Sequence, residues 1–175
     1  LINMNHIIIT SYGEVNATER AIKSILDQLP ENSQILVSDP FPETKWMIEE
    51  KFPEVTYIED EDKGKSNALN YLFKKFNSKN KDDIFILTDG DVFVNNIAIK
   101  EILDKFKDSK VGCVSGRPVS INKRDNKFGY WSHFLNDVGA HKISRKKRYE
   151  KSQFLETTGY LFAFRKGVIK KIPVD

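Results

Sequence analysis

Short apolar runs alternate with longer stretches of helical periodicity through the first two-thirds of the chain, and that rhythm constrains the fold more than any single motif. His6–Thr10, Gln34–Ser38, Val55–Ile58, Ile84–Thr88 and Val111–Ser115 read as buried strands. Between them Ile22, Ile25, Leu26 and Leu29 recur at helical spacing until Pro30 stops them. A short helix follows over roughly Glu43–Lys51. Leu69, Leu72, Phe73 and Phe76 line one face of another helix, and Ile99, Ile102, Leu103 and Phe106 mark the next. Asn16 with Glu19, and Ser66, stand where helix N-caps are expected. Strands alternating with helices predict an α/β fold with a doubly wound, mostly parallel sheet.

After Arg117 the rhythm breaks. Phe128–Val138 is aromatic-rich with helical character, residues 142–151 hold six basic residues against one acid, and Tyr160–Phe164 is a last apolar strand. The 175 residues thus read as one domain in two halves, a ligand-binding half over 1–116 and an irregular half over 117–175. The net charge of +3 is too small to argue for nucleic acid. Cys113 has no partner for an internal disulfide, which points to a reducing, cytoplasmic setting. No apolar stretch is long enough to span a bilayer and no signal peptide opens the chain.

The chemistry concentrates at Asp89-Gly90-Asp91, directly after Ile84-Phe85-Ile86-Leu87. Two carboxylates two residues apart at a strand end repel unless a cation lies between them, and the strand ends of an α/β sheet are where ligands bind. A divalent cation carrying a nucleotide diphosphate satisfies both conditions; an acidic turn is the plain alternative. Gly64-Lys65-Ser66 has the tail of a phosphate-binding loop, but Glu59 stands where that loop needs glycine, so a P-loop is rejected. Lys65 remains a lone cation within reach of a diphosphate. The nucleophile motif of dehalogenase-type phosphatases, with Asp89 attacking, wants a small β-branched residue where Phe93 stands and a position on the first strand, not the fourth. His6, His133 and His141 have no metal-ligand spacing, and Cys113 inside a strand is a poor nucleophile. The basic run at 142–151 reads as a solvated loop, with peripheral contact to an anionic membrane surface as its functional reading.

Taken in order, these segments resemble a family 2 glycosyltransferase of the GT-A fold. The resemblance rests on Ile7-Ile8-Ile9-Thr10-Ser11-Tyr12-Gly13-Glu14, on Ala21 to Gln28, on Asp39 after the second strand, on Gly64-Lys65-Ser66-Asn67-Ala68-Leu69-Asn70, on Asp89-Gly90-Asp91, and on Thr158-Gly159 with Arg165-Lys166. It implies transfer of a sugar, with inversion, from a nucleotide diphosphate donor to a hydroxyl of a glycan, lipid or other acceptor. Thr10, Tyr12, Glu14, Asp39, Lys65 and Asp89 would then hold the nucleotide sugar, and Asp91 with Asp89 a divalent cation, Mn2+ or Mg2+. Pro40-Phe41-Pro42 departs from the family's usual Asp-Gly-Ser after the second-strand acid. The family pattern puts the catalytic base beyond the basic strand, past Asp175; Glu156 is the internal candidate. A module that holds nucleotide sugar without turnover is the alternative of a different class.

Overall fold

The computed structural model describes residues 3–76, 80–153 and 159–168. Its strands are β1 (Asn5–Thr10), β2 (Ser33–Asp39), β3 (Thr56–Glu59), β4 (Ile84–Asp89), β5 (Cys113–Ser115) and β6 (Leu161–Arg165). The helices are α1 (Val15–Leu26), α2 (Pro42–Lys51), α3 (Lys65–Lys75), α4 (Ala98–Lys105), α5 (Lys127–His133) and α6 (Lys146–Glu150). A π-helical stretch, Phe134–Arg145, joins α5 to α6 into one continuous run.

The strands form one sheet in the order β3-β2-β1-β4-β6-β5. Pairings among β1, β2, β3 and β4 are parallel, while β6 runs antiparallel to both β4 and β5. The sheet is therefore mixed: β5 keeps the direction of β4, and β6 is inserted between them antiparallel to both. Strand β5 is shorter than expected, and Arg165 holds the segment before it: its guanidinium Nε donates to the Val111 carbonyl at 2.9 Å and another nitrogen to that of Asp108 at 3.0 Å. The backbone N–H of Arg165 also donates to the Gly112 carbonyl, at 3.1 Å.

Period-two alternation splits β1 between two cores. Ile7 and Ile9 face one side with Ile22, Ile25, Ile48 and Ile99 from α1, α2 and α4. Ile8 faces the other with Leu69 and Leu72 of α3, Phe85 and Phe164. The three isoleucines are fully buried, each worth about 2–3 kcal/mol of transfer from water. Both faces of the central strands are covered, which is why these segments are apolar throughout.

Neither expected N-cap caps. Helix α1 begins at Val15 after Glu14, and Glu19 instead accepts from Lys23 at 2.6 Å and Lys51 at 2.7 Å, tying α1 to the end of α2. Those two ammonium groups hold the Glu19 carboxyl down at about 2. Ser66 lies inside α3; Gly64, at φ +85°, turns the chain into that helix. Helix α1 ends at Leu26, with Leu29 in the hydrogen-bonded turns beyond it. The basic run expected as a loop is helical in part, through the end of the π-helical stretch and α6.

Candidate functional site

From β1 the chain moves outward through β2 and β3, then returns to place β4 on the other side of β1. The reversal opens a crevice at the C-terminal ends of β1 and β4, the place where open α/β sheets bind ligands. Register makes it specific: Thr10 and Asp89 are direct partners across the two strands. A cleft of about 270 Å³ opens there, lined by Thr10, Ser11 and Tyr12 after β1, by Asp60, Asp62 and Lys65 from the β3–α3 connection, and by Asp89 and Asp91 after β4. Glu14, Gly64 and Gly90 complete the wall.

Asp89 is about a quarter exposed and ion-paired to the Lys65 ammonium, while the Thr10 hydroxyl donates to its Oδ1 at 3.1 Å. Asp91 is exposed at the mouth. Between them Gly90 is buried, and its N–H donates to the Thr10 carbonyl at 2.8 Å. A Cβ there would lie 2.8 Å from Thr18 Oγ1 and 2.9 Å from Ser11 Oγ, two hydroxyls that are themselves hydrogen-bonded at 2.6 Å. Only glycine lets β1, α1 and the Asp-Gly-Asp turn meet so closely.

Asp39 stands behind the cleft wall. It is fully buried, and its Oδ2 accepts from the Gly13 N–H at 2.9 Å and the Thr44 hydroxyl at 3.0 Å, its Oδ1 from the Phe41 N–H at 2.8 Å. These bonds fix the Tyr12-Gly13-Glu14 turn, where Gly13 takes φ +72° against the Phe41 ring. The Pro40-Phe41-Pro42 departure thus supplies a wall: Tyr12 meets Phe41 edge-on at 5.0 Å. Behind it the Tyr57 hydroxyl donates to the Asp39 carbonyl at 2.6 Å, and burial with Asp39, Glu59 and Asp60 nearby pushes its pKa up to about 12.

Asp60 and Asp62 are not among the sequence candidates. Yet both line the cleft. The Asp62 carboxylate takes a hydrogen bond from Tyr12, which raises the phenol's pKa, and the Asp62 N–H donates to Asp60 Oδ1 at 2.8 Å. Asp62 sits at φ +54°, a conformation its sequence alone did not signal. Among the described residues the lining therefore carries five carboxylates, Glu14, Asp60, Asp62, Asp89 and Asp91, against the one ammonium of Lys65. Among the described residues no group of three or more His, Cys, Asp or Glu side chains is gathered closely enough to hold a metal by itself.

Several candidates lie elsewhere. Arg165 is at the far end of the sheet, because β6 runs antiparallel to β4 and ends beside Ile84. Lys166 follows it there, its N–H bonded to the Asp83 carbonyl at 2.9 Å. Glu156 and Thr158 fall outside the described residues. His6 is buried at that same far end, its Nδ1 2.6 Å from Gln34 Nε2 and its Nε2 3.7 Å from Asp83, with burial lowering its pKa. Cys113 lies on the outermost strand, and desolvation of its thiol pushes the pKa up, against thiolate chemistry.

A parallel α/β core with its crevice at the first switch point and a β6–β5 antiparallel extension is the GT-A, Rossmann-like architecture. The chain belongs to glycosyl transferase family 2, whose sequence profile matches residues 6–173. No curated protein matches it in sequence. Among solved structures it is similar to the mannosyltransferase PcManGT from Pyrobaculum calidifontis in complex with GDP-Man and Mn2+, at 20% identity and TM-score 0.60. That likeness covers 94% of this chain and 45% of the other. S. aureus TarS 1-349 is similar at 13% identity and TM-score 0.61, over 93% of this chain and 47% of that one. A 4-diphosphocytidyl-2C-methyl-D-erythritol synthase shares the fold at 13% identity and TM-score 0.57, over 95% and 77% of the two chains. The chain thus spans a little under half the length of PcManGT and of TarS 1-349. Family membership leaves the phosphatase reading without support.

Proposed function

We propose that the cleft binds a nucleoside diphosphate sugar together with a divalent cation, and that the chain forms the donor-binding part of an inverting glycosyltransferase. One observation carries the reading: five carboxylates and one lysine line a cleft at the switch point of a family 2 fold. A dianionic diphosphate is repelled by such a lining unless a cation accompanies it. The donor set fits a hard divalent ion, for which carboxylate oxygens are the natural ligands. Asp91 and Asp89 would hold it, with phosphate oxygens and water filling the remaining positions, since two carboxylates do not complete a shell. When bound, the cation supplies neutralisation of charge on the leaving diphosphate. Similar solved structures with nucleotide sugars support the donor class: PcManGT with GDP-Man and Mn2+, and TarS with UDP-GlcNAc.

The chain's own residues then divide the work. Lys65 leaves Asp89 and turns to the diphosphate as a second positive charge. Tyr12, backed by Phe41, offers an aromatic face to the base, and Thr10 with Glu14 holds the nucleoside. Asp39 keeps the Tyr12-Gly13-Glu14 turn in place from behind, so its part in nucleoside binding runs through the backbone it fixes. Residues 1–116 hold the donor and 117–175 shape the acceptor side. For the base that takes the acceptor hydroxyl's proton, Glu156, which lies outside the described residues, is the candidate within this sequence. Titration calorimetry of uridine and guanosine diphosphate sugars, with and without manganese, tests the binding. Product mass spectrometry with hydroxyl acceptors separates transfer from binding without turnover. Manganese-independent binding, or none, would overturn the reading.

A further inference from the structure

The helical run from Lys127 to Lys151 is built inside out. Among the described residues, polar groups tie it to the preceding segment: Ser132 shares a hydrogen bond with Ser120 at 2.8 Å, and His133 Nε2 lies 2.7 Å from the Asn122 carbonyl. Asp137 is ion-paired to Arg117, and Arg145 donates to the Gly116 carbonyl and to Ser115 Oγ, both at 3.2 Å. Several of its large apolar groups are exposed. Phe128 is 78% exposed, Trp131 53%, Leu135 60% and Tyr149 74%. A helix at an aqueous surface turns its apolar stripe inward, and this one reverses the rule. Trp131 also meets Phe134 at 5.4 Å and Tyr130 at 6.5 Å, so these three rings stand together and are not scattered singly.

Charge identifies what covers the patch. Residues 117–153 hold ten Lys and Arg against three acids, so with a total of +3 the remainder of the chain carries a net −4. Such concentration of positive charge repels a second copy of the same face. It suits an anionic bilayer, where tryptophan and tyrosine rings settle among the headgroups and basic side chains meet the lipid phosphates. No described helix is long and apolar enough to cross a membrane, so contact of this kind is with the surface. We propose that the outward face of the Lys127–Lys151 run docks the protein on an anionic lipid surface. Because β5 is parallel to β4 and two places along the sheet, its Ser115 end lies at the same end as Asp89. Ser115 and Asp89 thus stand two strand spacings apart, about 10 Å, and Arg145 ties the run to the sheet beside Ser115.

The proposal makes no use of nucleotide, so its test is separate from that of the cleft. Trp46 lies on α2, and Trp46→Phe leaves Trp131 as the only indole. In that background, Trp131 emission should shift to the blue on vesicles of phosphatidylcholine with phosphatidylglycerol and be quenched by brominated acyl chains. Vesicles of phosphatidylcholine alone should leave it unchanged. Lys146→Gln with Lys147→Gln should weaken partitioning about fivefold for each charge removed, and Phe128→Ser should weaken it further. Calorimetric nucleotide binding should be the same in all variants. No quenching on anionic vesicles, equal binding to neutral ones, or a Trp131 shift that follows protein concentration without lipid would each overturn the proposal, the last by showing a second copy on the face.

Discussion

The sheet with its covering helices and the Lys127–Lys151 run obey opposite rules of side-chain placement. In the sheet, Ile7, Ile8 and Ile9 are fully buried on alternating faces, and the carboxylates stand at strand ends where solvent begins. In the helical run the polar groups make the internal contacts, and Phe128 and Trp131 face outward. The first arrangement is what folding in water selects. The second is held by hydrogen bonds and ion pairs that contribute individually little, so a partner for the outward face must supply the rest. Stability and ligand geometry reside in one region, docking in the other.

Unfolding in urea offers the sharpest way to break this division. Ile8→Ala should cost about 2–5 kcal/mol, because a fully buried β1 side chain leaves a cavity. Trp131→Ala should cost less than about 0.5 kcal/mol despite removing a far larger side chain. Comparable losses would show that the helical run belongs to the core after all.

Gly90→Ala comes next in size. The added methyl meets Thr18 and Ser11 oxygens at 2.8–2.9 Å, and a cost of about 1–3 kcal/mol is expected in the same denaturation assay. Pairing it with Thr18→Ala should restore part of the loss if the clash is the cause. No rescue would place the cost elsewhere.

Acid gives a smaller effect. Burial disfavours charged His6, with Lys166 nearby acting in the same direction and Asp83 opposing both. The folded pKa therefore lies below the ordinary value near 6.5, and the unfolded chain binds the proton more readily. Stability should be full above pH 6.5, fall as the pH drops below it, and level off once the folded histidine protonates. His6→Gln should remove that slope between pH 7 and the lower values, as read by thermal melts across pH.

The same contrast explains what could be seen in the sequence. Strands β1, β2 and β4 were legible because burial on both faces leaves a continuous apolar run, and Asp89-Gly90-Asp91 was legible because it follows such a run directly. The GT-A fold and the family followed from the order of these segments. Other features depended on contacts far apart in sequence. The direction of β6 is set by its pairing with β4 and β5, which leaves no periodic signal. Asp62 enters the cleft through a positive φ and a bond to Tyr12, fifty residues away. Asn16 and Ser66 had the chemistry of caps, but Glu19 was drawn off by Lys23 and Lys51, and Gly64 turned the chain one residue before Lys65. In the helical run the inside-out pattern defeats any reading that assigns aromatic residues to a core.

The account turns on the carboxylates at the end of β4 acting on a cation and not on the fold. Asp91 is exposed at the cleft mouth and supports no core contact, so Asp91→Asn separates the two directly. Isothermal titration of uridine and guanosine diphosphate into wild type and variant, each with and without manganese, is the decisive measurement. The variant should keep its wild-type melting temperature and lose at least about tenfold of the manganese-dependent affinity, ~1.4 kcal/mol. Unchanged manganese-dependent affinity in Asp91→Asn would contradict the assignment of this cleft.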